Sequence, residues 1–103
     1  MYYRFRFLIP LLFAGLLAAA GCATSPPVQE MSDARQAIIA AQAADAANLA
    51  AESLAEAQRL LTLAERFLRN ESFGSARNNA LRAKNRALQA LEMAQVASGS
   101  ASN

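Results

Sequence analysis

Apolar residues recur at three- and four-residue spacing through the second half of the chain. One stripe consists of Ala47, Ala50, Leu54, Ala57, Leu61, Ala64 and Leu68. A second consists of Phe73, Ala76, Ala80, Ala83, Ala87, Ala90, Ala94 and Ala97. Because residues three and four apart share one face of a helix, the stripes predict two amphipathic helices, near residues 50–69 and 73–97.

The polar stretch between these two helices predicts a tight turn. Asn70 tolerates the left-handed conformation that often follows a helix, and Ser72 can cap the next helix. Two helices joined in this way form an antiparallel hairpin, and the alanine seams let their axes approach closely.

A third helical segment precedes the hairpin, over Ser32–Ala44, with Ser32 as its expected N-cap. Continuing its apolar phase would place Asp45, Asn48 and Glu52 in the stripe, so the phase is expected to break between residues 44 and 50. Neither glycine nor proline lies there, so one long bent helix stays an alternative. The expected fold class is all-α, an antiparallel helical hairpin or a small three-helix bundle.

The large apolar side chains exceed what one narrow seam between two helices can cover. Leu60, Leu63 and Leu81 lie beside the seam. If the first helix folds back onto them, the chain closes as a three-helix bundle. If it instead runs on into the second helix, those side chains are left for a coiled-coil partner. Because so small an alanine-rich domain buries little surface per residue, we expect self-association or a periplasmic protein partner, and a compact monomer would favour the closed bundle instead.

Residues 1–21 have the organisation of a secretory signal peptide. Arg4 and Arg6 precede an apolar stretch that ends in small residues. This stretch is shorter than the roughly 20 apolar residues of a permanent membrane span, and Pro10 interrupts it.

The motif Ala19-Ala20-Gly21-Cys22 resembles the lipobox of bacterial lipoproteins, with Ala19 where leucine is usual. The resemblance implies that Cys22 carries diacylglycerol and a further N-acyl chain, which together would anchor the protein persistently. Ala23 follows the cysteine, where some lipoproteins have an aspartate. By similarity to enterobacterial lipoproteins, alanine at this position implies delivery to the outer membrane, with the protein facing the periplasm. The alternative is cleavage after Ala20, which would leave a soluble protein with a free thiol.

Three further segments complete the domain organisation. Residues 22–31 contain Ser25-Pro26-Pro27 and are expected to form an extended tether after the lipidated cysteine. Residues 32–97 form the alanine-rich helical domain, and residues 98–103 are expected to be a flexible tail.

The composition argues against an enzyme. The chain contains no histidine and one cysteine, and no cleft is indicated around its carboxylates, so no catalytic residue, metal site or cofactor is expected beyond the acyl chains on Cys22. Without Arg4 and Arg6, eight basic residues balance eight acidic ones, and this neutrality argues against nucleic-acid binding.

Positive charge is concentrated between residues 59 and 86. This concentration indicates a basic hairpin tip, at which Arg66, Arg69 and Arg77 could contact an anionic partner. The alternative is a solvated face on which Arg66 and Arg69 complement the C-terminal end of a helix.

The alanine-rich region resembles a family of envelope lipoproteins built on domain of unknown function 4398. The similarity lies in Cys22 with Pro26-Pro27, in the Ala-x-x-Ala spacing, and in the hairpin from Ala64-x-x-Phe67 to Phe73-x-x-Ala76. The family usually has a glycine where this chain has Ala44 to Ala51, and its name implies no activity.

These observations favour a lipid-anchored structural or interaction protein of the cell envelope that presents a helical hairpin in the periplasm. Two alternatives stay open: a binding module for anionic cell-wall glycan or lipid phosphate, and a small regulator of an envelope enzyme. The chain ends without a terminal lysine, so covalent attachment to the cell wall is not expected.

Overall fold

The computed structural model describes residues 25–101. These residues form four α-helices and no strand: α1 (Val28–Ala43), α2 (Ala46–Leu49), α3 (Ala51–Arg69) and α4 (Phe73–Ala101). The predicted all-α fold class is confirmed. The signal peptide, Cys22 and the last two residues lie outside the described part of the chain.

Helices α3 and α4 form the predicted antiparallel hairpin, and small side chains line their interface. The buried alanines of α4 recur at every third or fourth position, and each is fully covered: Ala76, Ala80, Ala83, Ala87, Ala90 and Ala94. From α3, Leu54, Ala57, Leu60 and Ala64 complete this interface. Since alanine projects only a methyl group, the two backbones can pack closely along their length.

Helix α1 folds back onto the hairpin and closes a three-helix bundle. Met31 packs with Ala64 and Ala80 near the α3–α4 turn. Ile38 packs with Leu54 and with Ala90 further along. Helix α1 is therefore antiparallel to α3 and parallel to α4, and the alternative of one long bent helix is wrong.

The closure covers only some of the side chains that were expected beside the seam. Leu60 is 2% exposed, in a cluster that includes Met31 of α1. Leu63 is half-buried, whereas Leu81 is 42% exposed. Asn79 is buried at 7% exposure, although it is polar, and Ala47, expected in the apolar stripe, is exposed.

The chain reverses after α1 at Asp45, which has a positive φ of 64°. Its N–H donates to the Gln42 carbonyl, and its own carbonyl accepts from the N–H groups of Asn48 and Leu49. The Asn48 side-chain amide donates to Asp45 Oδ1 over 2.7 Å. Aspartate adopts the left-handed conformation more readily than most residues, which explains a break without glycine or proline.

The first helix begins at Val28, so the predictions of an extended tether through residue 31 and of Ser32 as N-cap are wrong. Pro27 is buried and occupies the N-cap position, and its carbonyl accepts the N–H of Met31. Because the first N–H groups of a helix have no partner within the helix, prolines cost little at this position.

The turn between α3 and α4 is a Schellman motif. The Ser72 N–H donates to the Phe67 carbonyl over 2.9 Å, and the Glu71 N–H donates to the Leu68 carbonyl over 3.0 Å. Glu71 adopts the left-handed conformation, with φ 59°, whereas Asn70 was expected to do so and has φ −88°. Ser72 precedes α4 as predicted, and its carbonyl accepts the N–H of Ala76.

Helix α4 continues to Ala101, beyond its expected end at Ala97. The prediction of a flexible tail from residue 98 is therefore wrong as far as Ala101. Ser98, Gly99 and Ser100 are weaker helix formers than alanine, but none of them blocks the helical hydrogen bonds as proline would.

Candidate functional site

Arg77 joins the beginning of α4 to the first turn of α1 and to the segment that precedes it. Its Nε donates to Oε1 of Glu30 over 3.1 Å, and its Nη2 donates to the carbonyl oxygen of Ser25 over 3.1 Å. Both charged side chains are about two-thirds buried. Of the three arginines that the sequence indicated for an anionic partner, Arg77 is thus occupied within the bundle.

Arg66 and Arg69 lie in the last turn of α3, and both are exposed. At this position each complements the partial negative charge of a helix C-terminus, as the alternative interpretation expected. Arg66 also lines a shallow pocket of about 270 Å³ with Arg59, Thr62 and Leu63. The structure therefore places Arg66 and Arg69 on one helix turn, while Arg77 bonds toward α1.

A different pair of arginines shares a groove between α3 and α4, which we call the basic groove. It has a volume of about 250 Å³ and is lined by Glu56, Leu60, Arg82, Asn85, Arg86 and Gln89. Sequence reasoning did not single out Arg82 and Arg86 as contact residues. Their four-residue spacing, which places both on one helix face, was the available signal.

Glu56 faces this groove and is paired with Arg59 one turn further along α3. Arg59 donates from Nη2 to Oε1 over 2.7 Å and from Nε to Oε2 over 2.9 Å. The hydrogen bond from Arg59 lowers the pKa of Glu56, and the charges of Arg86 and Arg82 lower it further. A carboxylate that stays ionised balances part of the positive charge in the groove.

Besides Glu56, the polar side chains that line the groove are guanidinium and amide groups, and none of them is a nucleophile. Arg86 Nη1 donates to Oε1 of Gln89 over 2.8 Å. Guanidinium and amide groups can hydrogen-bond an anion, and neither serves as a general base near neutral pH. The arrangement is therefore chemically suited to binding an anionic group.

A second groove, the apolar groove, lies where α2 meets the later turns of α4. It has a volume of about 530 Å³ and is lined by Leu49, Gln89, Glu92, Met93, Val96 and Ala97. Three of its large side chains remain exposed: Leu49 at 39%, Met93 at 45% and Val96 at 64%. The Ser53 hydroxyl donates to the sulfur of Met93 over 3.5 Å and thereby links α3 to this part of α4.

Two further properties concern the described residues 25–101. They contain no group of three side chains that could hold a metal ion. None of the helices formed by these residues has both the length and the apolar character that a membrane crossing requires.

Comparison of the sequence with protein-family models, with curated proteins and with solved structures gives no match. The resemblance to domain of unknown function 4398 therefore stays a prediction.

Proposed function

We propose that the protein is a lipid-anchored structural or interaction protein of the cell envelope, which holds a helical bundle above the membrane. The observation that carries the proposal is the attachment of Ser25 and Glu30 to Arg77. Ser25 follows Cys22, the expected site of lipidation, by three residues. The folded part of the chain would thus begin directly beside the lipid.

This attachment gives the proposed protein an orientation. Three residues span at most about 10 Å, so the end of the bundle that contains the α3–α4 turn would lie close to the headgroups. Helix α4 has 29 residues, which corresponds to a length of about 44 Å. The apolar groove, at the opposite end, would stand far enough from the membrane to meet a partner in the periplasm.

A second candidate function is a binding module for anionic cell-wall glycan or lipid phosphate. The specific observation in its favour is the basic groove, in which Arg82 and Arg86 lie on one face of α4. Guanidinium groups bind phosphate and carboxylate through charge-assisted hydrogen bonds. Binding of a phosphorylated glycan that is lost in Arg82→Gln/Arg86→Gln would support this second function.

Substitution of Cys22 tests the anchoring. We expect Cys22→Ser to accumulate as unprocessed precursor and to lose incorporation of a labelled fatty acid, because a hydroxyl does not replace the thiol as acyl acceptor. Ala23→Ser, a change of similar size at the next residue, should be processed and lipidated normally. Normal processing of Cys22→Ser, with unchanged recovery in the membrane fraction, would contradict lipidation.

The orientation has its own test, which uses a single fluorophore on an introduced cysteine. The two variants are Asn70→Cys, in the α3–α4 turn, and Gln95→Cys, in α4. Both residues are exposed, so either position can carry the label. With Cys22 acylated, each variant has one free thiol. In vesicles that contain a headgroup quencher, the label at residue 70 should be quenched strongly and that at residue 95 weakly, and equal quenching would contradict an upright bundle.

A further inference from the structure

We propose that the apolar groove binds a basic amphipathic helix of a partner protein. This inference rests on the proposed function, because anchoring at Cys22 determines which end of the bundle faces away from the membrane. The partner would insert apolar side chains between Leu49 and Val96 and would place lysine or arginine residues along the rim.

The shape and the apolar chemistry of this surface suit an amphipathic helix. Leu49 belongs to α2, whereas Met93 and Val96 belong to α4, so two elements form the walls of the groove. Grooves of this kind accept the apolar face of a helix, whose anchoring residues recur three or four positions apart. Large apolar side chains that cluster on a surface are typical of interaction sites.

The end of the bundle that contains the apolar groove carries negative charge. Residues 36–58 and 87–103 contain Asp45, Glu52, Glu56 and Glu92 but no lysine or arginine. Arg59 neutralises Glu56 through an ion pair. The other three carboxylates give this end of the bundle its negative charge. Glu92 lines the groove itself, Glu52 lies in the first turn of α3, and Asp45 lies in the adjacent turn.

Charge also argues against a second copy of this chain in the groove. Copies anchored in the same membrane would stand in parallel, so two facing grooves would bring Glu92 of one copy toward Glu92 of the other, at the acidic end of both bundles. Like charges that face each other across an interface disfavour association, whereas opposite charges favour encounter and fix the register. A basic helix fits both the apolar walls and the negative charge of Glu92 and of this end of the bundle.

The experiment uses the full-length protein in nanodiscs of zwitterionic lipid, with empty nanodiscs as the blank. The probe is an 18-residue amidated peptide that carries leucines on one helix face and lysines on the other. A second peptide has glutamate in place of every lysine, and a third has the leucines dispersed around the helix. We expect binding of the first peptide alone, with an affinity that falls as salt is added.

Variants locate the binding site. Val96→Gln and Met93→Gln should each weaken binding of the lysine peptide by about tenfold, as expected when an apolar anchor is lost. Glu92→Lys should weaken it through charge. The matched control is Leu88→Gln on the same helix, because Leu88 is 42% exposed and lies outside the groove.

Three outcomes would overturn the proposal. The first is that Leu88→Gln weakens binding as much as Val96→Gln does, and the second is that the glutamate peptide binds equally well. The third is a dimer of the protein that Val96→Gln dissociates, which would make a second copy the occupant. Peptide binding by purified Cys22→Ser protein separates the two proposals, because the groove does not need the acyl chains. If this variant binds the peptide and the protein with Cys22 incorporates no fatty acid, anchoring is contradicted and binding at the groove is not.

Discussion

Arg77 and Glu30 are 47 residues apart in the sequence, and their side chains meet over 3.1 Å between Nε and Oε1. The contact joins α1 and α4 at the end where both helices begin. A partly exposed ion pair of this kind contributes about 0.2–1 kcal/mol. The second bond of Arg77, to the Ser25 carbonyl, adds a constraint on the backbone before α1. Together the two bonds determine where the chain enters the bundle.

Arg77→Ala should loosen the first turns of α1 without unfolding the rest of the bundle. Local opening depends on the contacts that an element makes, and α1 would lose both polar contacts at its beginning. We expect amide hydrogen exchange to accelerate in residues 28–33 and to stay unchanged in residues 54–64. Global stability should fall by about 1 kcal/mol.

Arg82→Ala is the matched control for this change. Arg82 is exposed on the next turns of α4, and the groove that it lines is formed by residues of α3 and α4. If Arg82→Ala accelerated exchange in residues 28–33 as much as Arg77→Ala, the effect would come from net charge rather than from the bonds to Glu30 and Ser25.

The sequence predicted the features of the fold that depend on local periodicity. The buried face of α4 repeats with the period of a helix, so the alanine seam was evident without a structure. The loss of phase near Asp45 likewise indicated the break after the first helix. Helix ends were predicted less well. Serine is a common N-cap residue, so Ser32 was expected to begin the first helix. The helix instead begins after Pro27, because proline is tolerated where a helix starts.

The candidate site was harder to predict, because it depends on pairing between distant segments. The charge pattern placed Arg66, Arg69 and Arg77 together, but no local rule indicates that Arg77 bonds to a residue 47 positions earlier. The apolar groove combines Leu49 with Met93 and Val96, and its position depends on the reversal at Asp45. Periodicity within one helix carries no information about either pairing.

Glu71→Gly should stabilise the protein by about 1 kcal/mol, because glycine adopts a positive φ without the steric cost of a side chain. Glu71 has φ 59° and is exposed, so the substitution removes no packing. The expected result is a higher urea midpoint with an unchanged slope.

Asn70→Gly tests whether the gain depends on backbone conformation. Asn70 is the preceding residue in the same turn, is also exposed, and has φ −88°. Glycine there adds flexibility to the unfolded chain without relieving strain, so the urea midpoint should fall. A similar rise for both variants would show that the turn is not held in the Schellman geometry.

Ala83→Leu should destabilise the bundle by about 1–3 kcal/mol, because Ala83 is fully buried in the cluster where α1, α3 and α4 meet. The matched control is Ala55→Leu, which makes the same change at an exposed position of α3. Thermal unfolding of the two variants should differ clearly. Equal melting temperatures would contradict the assigned faces of the helices.

Asn79→Ala should stabilise the protein, although the residue is buried. Its Nδ2 donates to the Ser75 carbonyl over 2.8 Å, but its Oδ1 has no hydrogen-bond partner among the described residues. A buried acceptor without a partner costs about 1–3 kcal/mol, and alanine is a better helix former than asparagine by about 0.5 kcal/mol. The lost packing of the amide offsets part of this gain, so we expect a net increase of about 1 kcal/mol in the free energy of unfolding.

Asn78→Ala separates the two sources of this gain. Asn78 is the exposed neighbour of Asn79 on the same helix, so its replacement should yield only the improvement in helix propensity, about 0.5 kcal/mol. Urea unfolding of both variants gives the difference directly, and a larger gain for Asn79→Ala assigns the excess to the unpaired carbonyl. A decrease in stability for Asn79→Ala would mean that the amide oxygen has a partner in solution, such as a bound water molecule between the helices, and that the polar group contributes to the packing of the bundle.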